Sequence, residues 1–250
     1  MRIFAGLMAL ALSGWLSGTP GMAQDRALER PLIVVELFMS QGCSSCPPAD
    51  ELLSRLAGRD DVLALALHVD YWDYIGWPDT FARAEHTERQ KAYAHAAGMR
   101  SIYTPQMIIA GKDHVIGSKP MEVADYLEMY RDRPAAVFLA ARRQGDRIRI
   151  EAMRATHMPV PEDLMVMLVT VDRKATVEIK RGENAGKTIT YRNIVTDLEQ
   201  IATWDGQGEM EVVLDARTAP GSAGDGQAVF LQVQGPGGGL GEILGATWVR

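Results

Sequence analysis

Cysteine is scarce in this sequence: Cys43 and Cys46 are the only two in 250 residues. Two thiols make at most one bridge, which excludes a framework of staples. As a staple this bridge would be poorly placed. So short a loop is worth only about 2 kcal/mol by chain entropy, against roughly 4–5 kcal/mol for one closing 100 residues. The pair reads as chosen for reactivity.

Positive charge in clusters is missing too. The net charge is −6 and no Lys/Arg run exceeds two residues. Nucleic acid is therefore not an expected partner, because phosphate binding needs a basic footprint. Past residue 23 no apolar stretch reaches the ~18 or more residues of a spanning helix. The N-terminus itself has Arg2 as a short positive region, an apolar run from Ile3 to Leu16, and "GMAQ" before a cut ahead of Gln24. That order is expected of a cleavable signal peptide over 1–23, so a periplasmic or secreted chain is expected, with no membrane span after cleavage. An oxidising compartment lets a disulfide persist.

Familiar catalytic signatures are absent as well. There is no G-x-S-x-G elbow and no Walker loop, and "GPGGGLGE" lacks the strand-to-helix context of a dinucleotide fingerprint. No second Cys pair, H-E-x-x-H or His cluster at ligand spacing occurs. No cofactor and no metal site is expected, although two thiolates with His68, His86 or His114 form a rival, metal-handling reading. His86 and His95, on a charged helix, read as solvated. Glu183-Asn184 in "RGENAGK" reads as a turn between strands.

What is present has a clear order. "LIVVELF" (32–38) is a strand buried on both faces, and "MSQG" leads to Cys43. Pro47 and Pro48 suit a helix's first turn, and Ala49, Leu52, Leu53, Leu56 and Ala57 recur at helical spacing up to Gly58. "VLALALHVD" (62–70) is a second buried strand. The aromatic loop "YWDYIGWP" precedes a polar helix from Asp79 to Ala97. "YTPQMIIAGKDHVIG" (103–117) reads as a hairpin about Gly111-Lys112, and a helix follows from Ser118 and Pro120, with Val123, Tyr126, Leu127 and Tyr130 on one face. Beyond Arg133-Pro134 strand-like runs recur at 135–141, 147–153, 164–172, 175–180, 188–196, 209–215, 227–234 and 242–249. Strands separated by glycine-rich turns are expected to build a β-sandwich.

The chemistry concentrates at the cysteines. Cys43 precedes a helix, so free N–H groups and the helix dipole favour its thiolate; Ser44 and Ser45 add hydroxyl donors. Cys46, deeper in the helix, is the expected resolving thiol. Tyr71, Trp72, Tyr74 and Trp77 leave the second strand at the same sheet end. They line a groove for an extended polypeptide, or else form a lid packed on the strand-rich half.

Cys43-Ser44-Ser45-Cys46-Pro47, the order strand-helix-strand-helix-strand-strand-helix over 31–133, and Thr104-Pro105 before the hairpin together resemble the thioredoxin superfamily. That resemblance implies a cis Thr104-Pro105 bond packed against the sulfurs, with the backbone before it free to pair with substrate. It also implies that Glu36 handles the proton of the buried cysteine, though the loop from Glu36 to Cys43 is one residue longer than the superfamily pattern. Glu36 paired with a lysine or arginine is the alternative. Through "VVELFMSQGCSSCPPAD", "YTPQMIIAGK" and "RGENAGKTITYRN", the whole chain resembles an uncharacterised family of exported bacterial proteins (domain of unknown function 1223).

The expectation is thus a thioredoxin-like α/β domain over 24–133 and an all-β sandwich domain over 134–250. The expected activity is thiol–disulfide exchange with protein thiols or disulfides, served by a membrane or soluble redox partner. Cys43, Cys46, Pro105 and Glu36 are the catalytic candidates, and Thr104, Tyr71, Trp72 and Trp77 the substrate-binding ones. Metal handling and a non-catalytic binding module are the alternatives.

Overall fold

A computed structural model describes residues 30–155, 160–219 and 224–250. The expected signal peptide over 1–23 lies outside the described residues. None of the described helices is long and apolar enough to cross a membrane.

Strand β1 (Ile33–Met39) runs parallel to β2 (Val62–His68), joined by helix α1 (Pro47–Leu56). Helix α2 (Ala84–Ala96) follows, then β3 (Gln106–Ile109), antiparallel to β1, its hairpin partner β4 (Asp113–Ile116), and helix α3 (Pro120–Asp132). Up to this point the elements come in the expected order. The second half holds β5 (Val137–Gln144), β6 (Arg147–Arg154), β7 (Leu164–Glu178), β8 (Thr188–Trp204), β9 (Glu209–Asp215), β10 (Gly226–Gln234) and β11 (Leu240–Trp248).

A thioredoxin-like α/β unit followed by a separate β-sandwich is not what these elements build. Strand is 45% and helix 19% of the chain, and both halves share one mixed sheet of eight strands in the order β11-β10-β7-β8-β2-β1-β3-β4. The joint is a parallel contact of β8 with β2 at Ala66 and Ile194. Beside it Asn193, at φ 48°, donates from Nδ2 to Ala64 O at 2.9 Å. Only β5, β6 and β9 form a second sheet, of three antiparallel strands.

The physical reason lies in β2. Val62, Ala64 and Ala66 face α1, while Leu63, Leu65 and Leu67 face the other way, so both faces demand cover. Helix α2 has little apolar surface to offer, since its buried side is His86, Thr87, Arg89, Gln90, Tyr93 and Ala94. The strands of the second half supply the cover instead: Met165, Met167, Val169 and Phe230 pack with Leu63, Leu65 and Leu67. The sheet curls until its β11 edge returns to the first half, with Leu32 N donating to Ala246 O (2.9 Å) and Ile243 N to Ala110 O (2.8 Å). Gly111 sits at that seam at φ +68°, where a Cβ would lie 2.5 Å from Gly241 O. Alternate residues of β7 (Leu164, Val166, Leu168) face the small sheet and form a third core with Val137, Leu139, Ile148 and Ile150.

The two runs expected at 164–172 and 175–180 are one strand. The break expected between them falls at Arg173-Lys174, but there β7 continues against β8, with Asp172 opposite Ile194 and Lys174 opposite Arg192. This long hairpin extends past the sheet, and its tip becomes part of the site.

Candidate functional site

Cys43 and Cys46 are joined by a disulfide, with their Cα atoms 5.4 Å apart. The bridge forms because the turn after β1 is tight: Cys43 N donates to Ser40 O (3.1 Å) and Cys46 N to Cys43 O (3.2 Å). Cys46 is the N-cap of α1, and its carbonyl takes the first helical bonds from Ala49 N (2.8 Å) and Asp50 N (3.1 Å). Pro47 and Pro48 follow, where a missing N–H costs nothing. The sulfurs therefore lie at the positive end of the helix dipole. Cys43 Sγ is 3.4 Å from Ser45 Oγ.

Cys43 is 1% exposed and Cys46 0%, whereas Ser44 and Ser45 are exposed. The cover comes from two directions. The loop after β2 brings Trp72 and Ile75 against Gly42, where a Cβ would meet Ile75 Cδ1 at 3.3 Å and Trp72 Cβ at 3.4 Å. The tip of the β7–β8 hairpin comes from the other half of the chain. There buried Asn184 donates from Nδ2 to Gln41 O (2.9 Å) and to Cys43 O (2.8 Å), and Lys187 Nζ holds its Oδ1 at 2.8 Å. Gly182, at φ +77°, lets that tip approach Trp77.

Thr104-Pro105 is a cis peptide. Gly117 brings the proline beside α1, since a Cβ there would lie 3.2 Å from Pro105 Cβ and 3.1 Å from Ala49 Cβ. Trp72 Nε1 donates to Thr104 Oγ1 at 2.7 Å, and Trp77 Nε1 to Gln41 Oε1 at 2.8 Å. Thus Cys43, Cys46, Thr104, Pro105, Trp72 and Trp77 converge at one sheet end. Tyr71 turns towards α2, its hydroxyl donating to Gln90 Oε1 (3.1 Å), and burial pushes its pKa up to about 12. Tyr74 is 83% exposed.

Glu36 is not with them. Alternation along β1 sends Val35, Leu37 and Met39 to the cysteine side and Glu36 to the opposite face with Val34 and Phe38. There Arg89 Nε donates to its Oε1 at 2.6 Å and the Tyr93 hydroxyl donates to its Oε2. Arg89 also bonds Gln232 Oε1 (2.9 Å), so the ion pair ties β1 and α2 to β10. The lysine-or-arginine alternative describes this arrangement.

The carboxylic acid on the cysteine side is Asp50, one helical turn past Cys46 and 6% exposed. Desolvation, and secondarily the charge of Asp79, raises its pKa well above the usual carboxyl range. Asp79 is itself well served: Oδ2 accepts from Gln41 N and His68 Nδ1, both at 2.7 Å, and Oδ1 from Phe81 N at 2.9 Å. Tyr191 of β8 packs edge-on against His68, with ring centroids 4.9 Å apart. Burial raises its phenol pKa, helped by Asp50 and Asp79. Asp50 Oδ2, His68 Nε2 and Tyr191 OH are buried without hydrogen-bond partners. A signal for Asp50 exists in the sequence, since position 50 falls on the helix stripe of Leu53 and Ala57. Nothing local marks Asn184 or Tyr191.

His86, read as solvated, is 3% exposed, with Nδ1 2.9 Å from His68 O; burial lowers its pKa to about 4. Among the described residues, no three His, Cys, Asp or Glu side chains converge to hold a metal.

No curated protein matches the chain. A crystal structure of protein AGR_C_4864 from Agrobacterium tumefaciens is similar, with 35% identity, a TM-score of 0.76, and coverage of 89% of this chain and 96% of that one. HBP35 of Porphyromonas gingivalis shares the fold at 12% identity and a TM-score of 0.61, over 88% of this chain and 74% of its own. Residues 34–232 match the family described as a protein of unknown function (DUF1223), and the chain belongs to that family.

Proposed function

We propose that this chain is an exported thiol–disulfide oxidoreductase that exchanges the Cys43–Cys46 bridge with protein thiols or disulfides. The observation that carries the reading is the bridge at the first turn of α1 with cis Pro105 beside that turn. A sulfur at a helix N-terminus is stabilised as thiolate, which serves equally for attacking a substrate disulfide and for leaving one. Cys43, on the loop side, is the nucleophile and Cys46, the buried N-cap of α1, the resolving thiol. Thr104 is the backbone position for an extended substrate, with Trp72 and Trp77 on its flank. Because the sulfurs are covered, exchange requires the hairpin tip or the aromatic loop to move aside, leaving exposed Ser44 and Ser45 as the point of first contact.

The same cover favours a second reading, a binding module whose bridge does not cycle. Trapping separates the two. A Cys46→Ala variant of the exported chain is expected to accumulate mixed disulfides at Cys43, and Cys43→Ala to accumulate none. The reverse pattern exchanges the two roles, and no adduct in either variant supports the inert bridge.

A further inference from the structure

Three buried polar atoms without partners in one neighbourhood need an explanation, because buried polar groups are almost always hydrogen-bonded. Asp50 Oδ2, His68 Nε2 and Tyr191 OH are such atoms. They come from the three elements that meet behind the bridge: α1 carries Asp50, β2 ends at His68, and β8 carries Tyr191. Cys43, Cys46 and Tyr191 share one core. Asp50 follows Cys46 by four residues, which sets both side chains on the same helix face, one turn apart. Val35, Leu37 and Met39, the residues of β1 on this side, do not titrate; the charge of Asp79 acts on Asp50, Asp50 and Asp79 act on Tyr191, and His68 joins the group through Asp79 and the Tyr191 ring.

An Asp–His pair is among them. Asp79 Oδ2 accepts from His68 Nδ1–H, which assigns that tautomer from the bonding pattern and leaves Nε2 as the inward acceptor. Phe81, edge-on to both His68 and Tyr191, closes the side towards the aromatic loop. A carboxyl oxygen, an imidazole nitrogen and a phenol oxygen are thus buried in one neighbourhood with no hydrogen bond to the fold.

We propose that Asp50 is the acid–base group for the Cys46 sulfur, with Tyr191 and the His68–Asp79 pair positioning it. The inference rests on the oxidoreductase reading and adds the path of the proton. In the oxidising direction, a thiolate of a protein dithiol attacks Cys43 Sγ, and a substrate–Cys43 disulfide forms. The Cys43–Cys46 bond breaks, its electron pair stays on Cys46 Sγ, and Asp50 gives that sulfur its proton. The second substrate thiolate attacks the substrate sulfur of the mixed disulfide and releases Cys43 as thiolate. The substrate is oxidised by two electrons, the cysteine pair is reduced, and Asp50, now a carboxylate, is reprotonated from solvent. In the reducing direction Asp50 takes the Cys46 proton as that sulfur attacks. The oxidised state uses Asp50 in its protonated form, the form that burial favours.

The test follows reduction of the full, folded chain by dithiothreitol from pH 5 to 9, with rates corrected for the thiolate fraction of the reagent. Wild type is expected to show a limb that falls as Asp50 ionises. Asp50→Asn is expected to lose the limb and about 10²-fold in rate on its acid side. Tyr191→Phe, which keeps the ring, is expected to displace the limb without abolishing it. A corrected profile for Asp50→Asn that superimposes on wild type overturns the assignment while leaving the exchange reading intact. A folded wild-type chain that dithiothreitol does not reduce at any pH overturns both.

Discussion

At the residue scale, burial governs two ionisable side chains in opposite directions. Burial raises the Asp50 pKa well above the usual carboxyl range, so the folded state holds that proton to higher pH than the unfolded chain does. Its contribution to stability is present in acid and fades as pH rises through its raised value. His86 behaves the other way. Its pKa falls from 6.5 to about 4 on folding, so between those values the unfolded chain binds the extra proton and stability rises with pH. We expect His86 alone to cost the chain about 3 kcal/mol as pH drops through this window, at 1.36 kcal/mol per unit. Urea titrations at pH 7 and pH 4 measure the loss, and His86→Asn, which keeps a donor at the Nδ1 position, is expected to flatten it. An unchanged slope in the variant would assign the acid sensitivity elsewhere. In sequence both residues look ordinary: His86 sits among charged neighbours, and nothing near it shows that α2 will seat it against the end of β2, with Nδ1 2.9 Å from His68 O. Glu36 was legible as a buried charge in need of a partner, but the alternation of β1 turns it from the cysteines, and its partner Arg89 lies 53 positions away.

At the scale of elements, the decisive unit is the β7–β8 hairpin. Its strands alternate visibly in the sequence. That they continue through Asp172-Arg173-Lys174, and that the tip lands on the cysteine loop, depends on pairing over 141 residues, which no local pattern records. Asn184 makes that landing specific by serving the Gln41 and Cys43 carbonyls at once. Asn184→Ala leaves both carbonyls buried without that donor. The expected cost is about 1–3 kcal/mol in a urea titration. Reduction of the native bridge by a phosphine should accelerate by a comparable factor as the tip detaches. Destabilisation with no change in reduction rate would mean that the hairpin braces the loop without covering it. Helix α1 was the opposite case. Two prolines, an apolar stripe and Gly58 fixed its position to within a residue or two, and with it the chemical setting of the bridge.

Over the whole molecule, the order of elements through α3 was legible because each carries its own period and its own stop signals. The architecture was not. Nothing within "VLALALH" says what covers its second face, and the polar character of α2 is the one hint that a helix does not suffice. The covering strands come from more than ninety residues downstream and merge both halves into a single sheet. A consequence for function is that the bridge is framed by both halves, with cis Pro105 from one and Asn184 from the other. The proposed exchange requires the pair to gain and lose electrons at potentials that partner thiols can reach. The most direct measurement is the equilibrium reduction potential of the Cys43–Cys46 pair in glutathione buffers, followed by the fluorescence of Trp72 and Trp77. A single two-electron transition between about −120 and −270 mV, the range of exchange catalysts, is the predicted result. A bridge still oxidised below about −300 mV, as structural disulfides are, would contradict it.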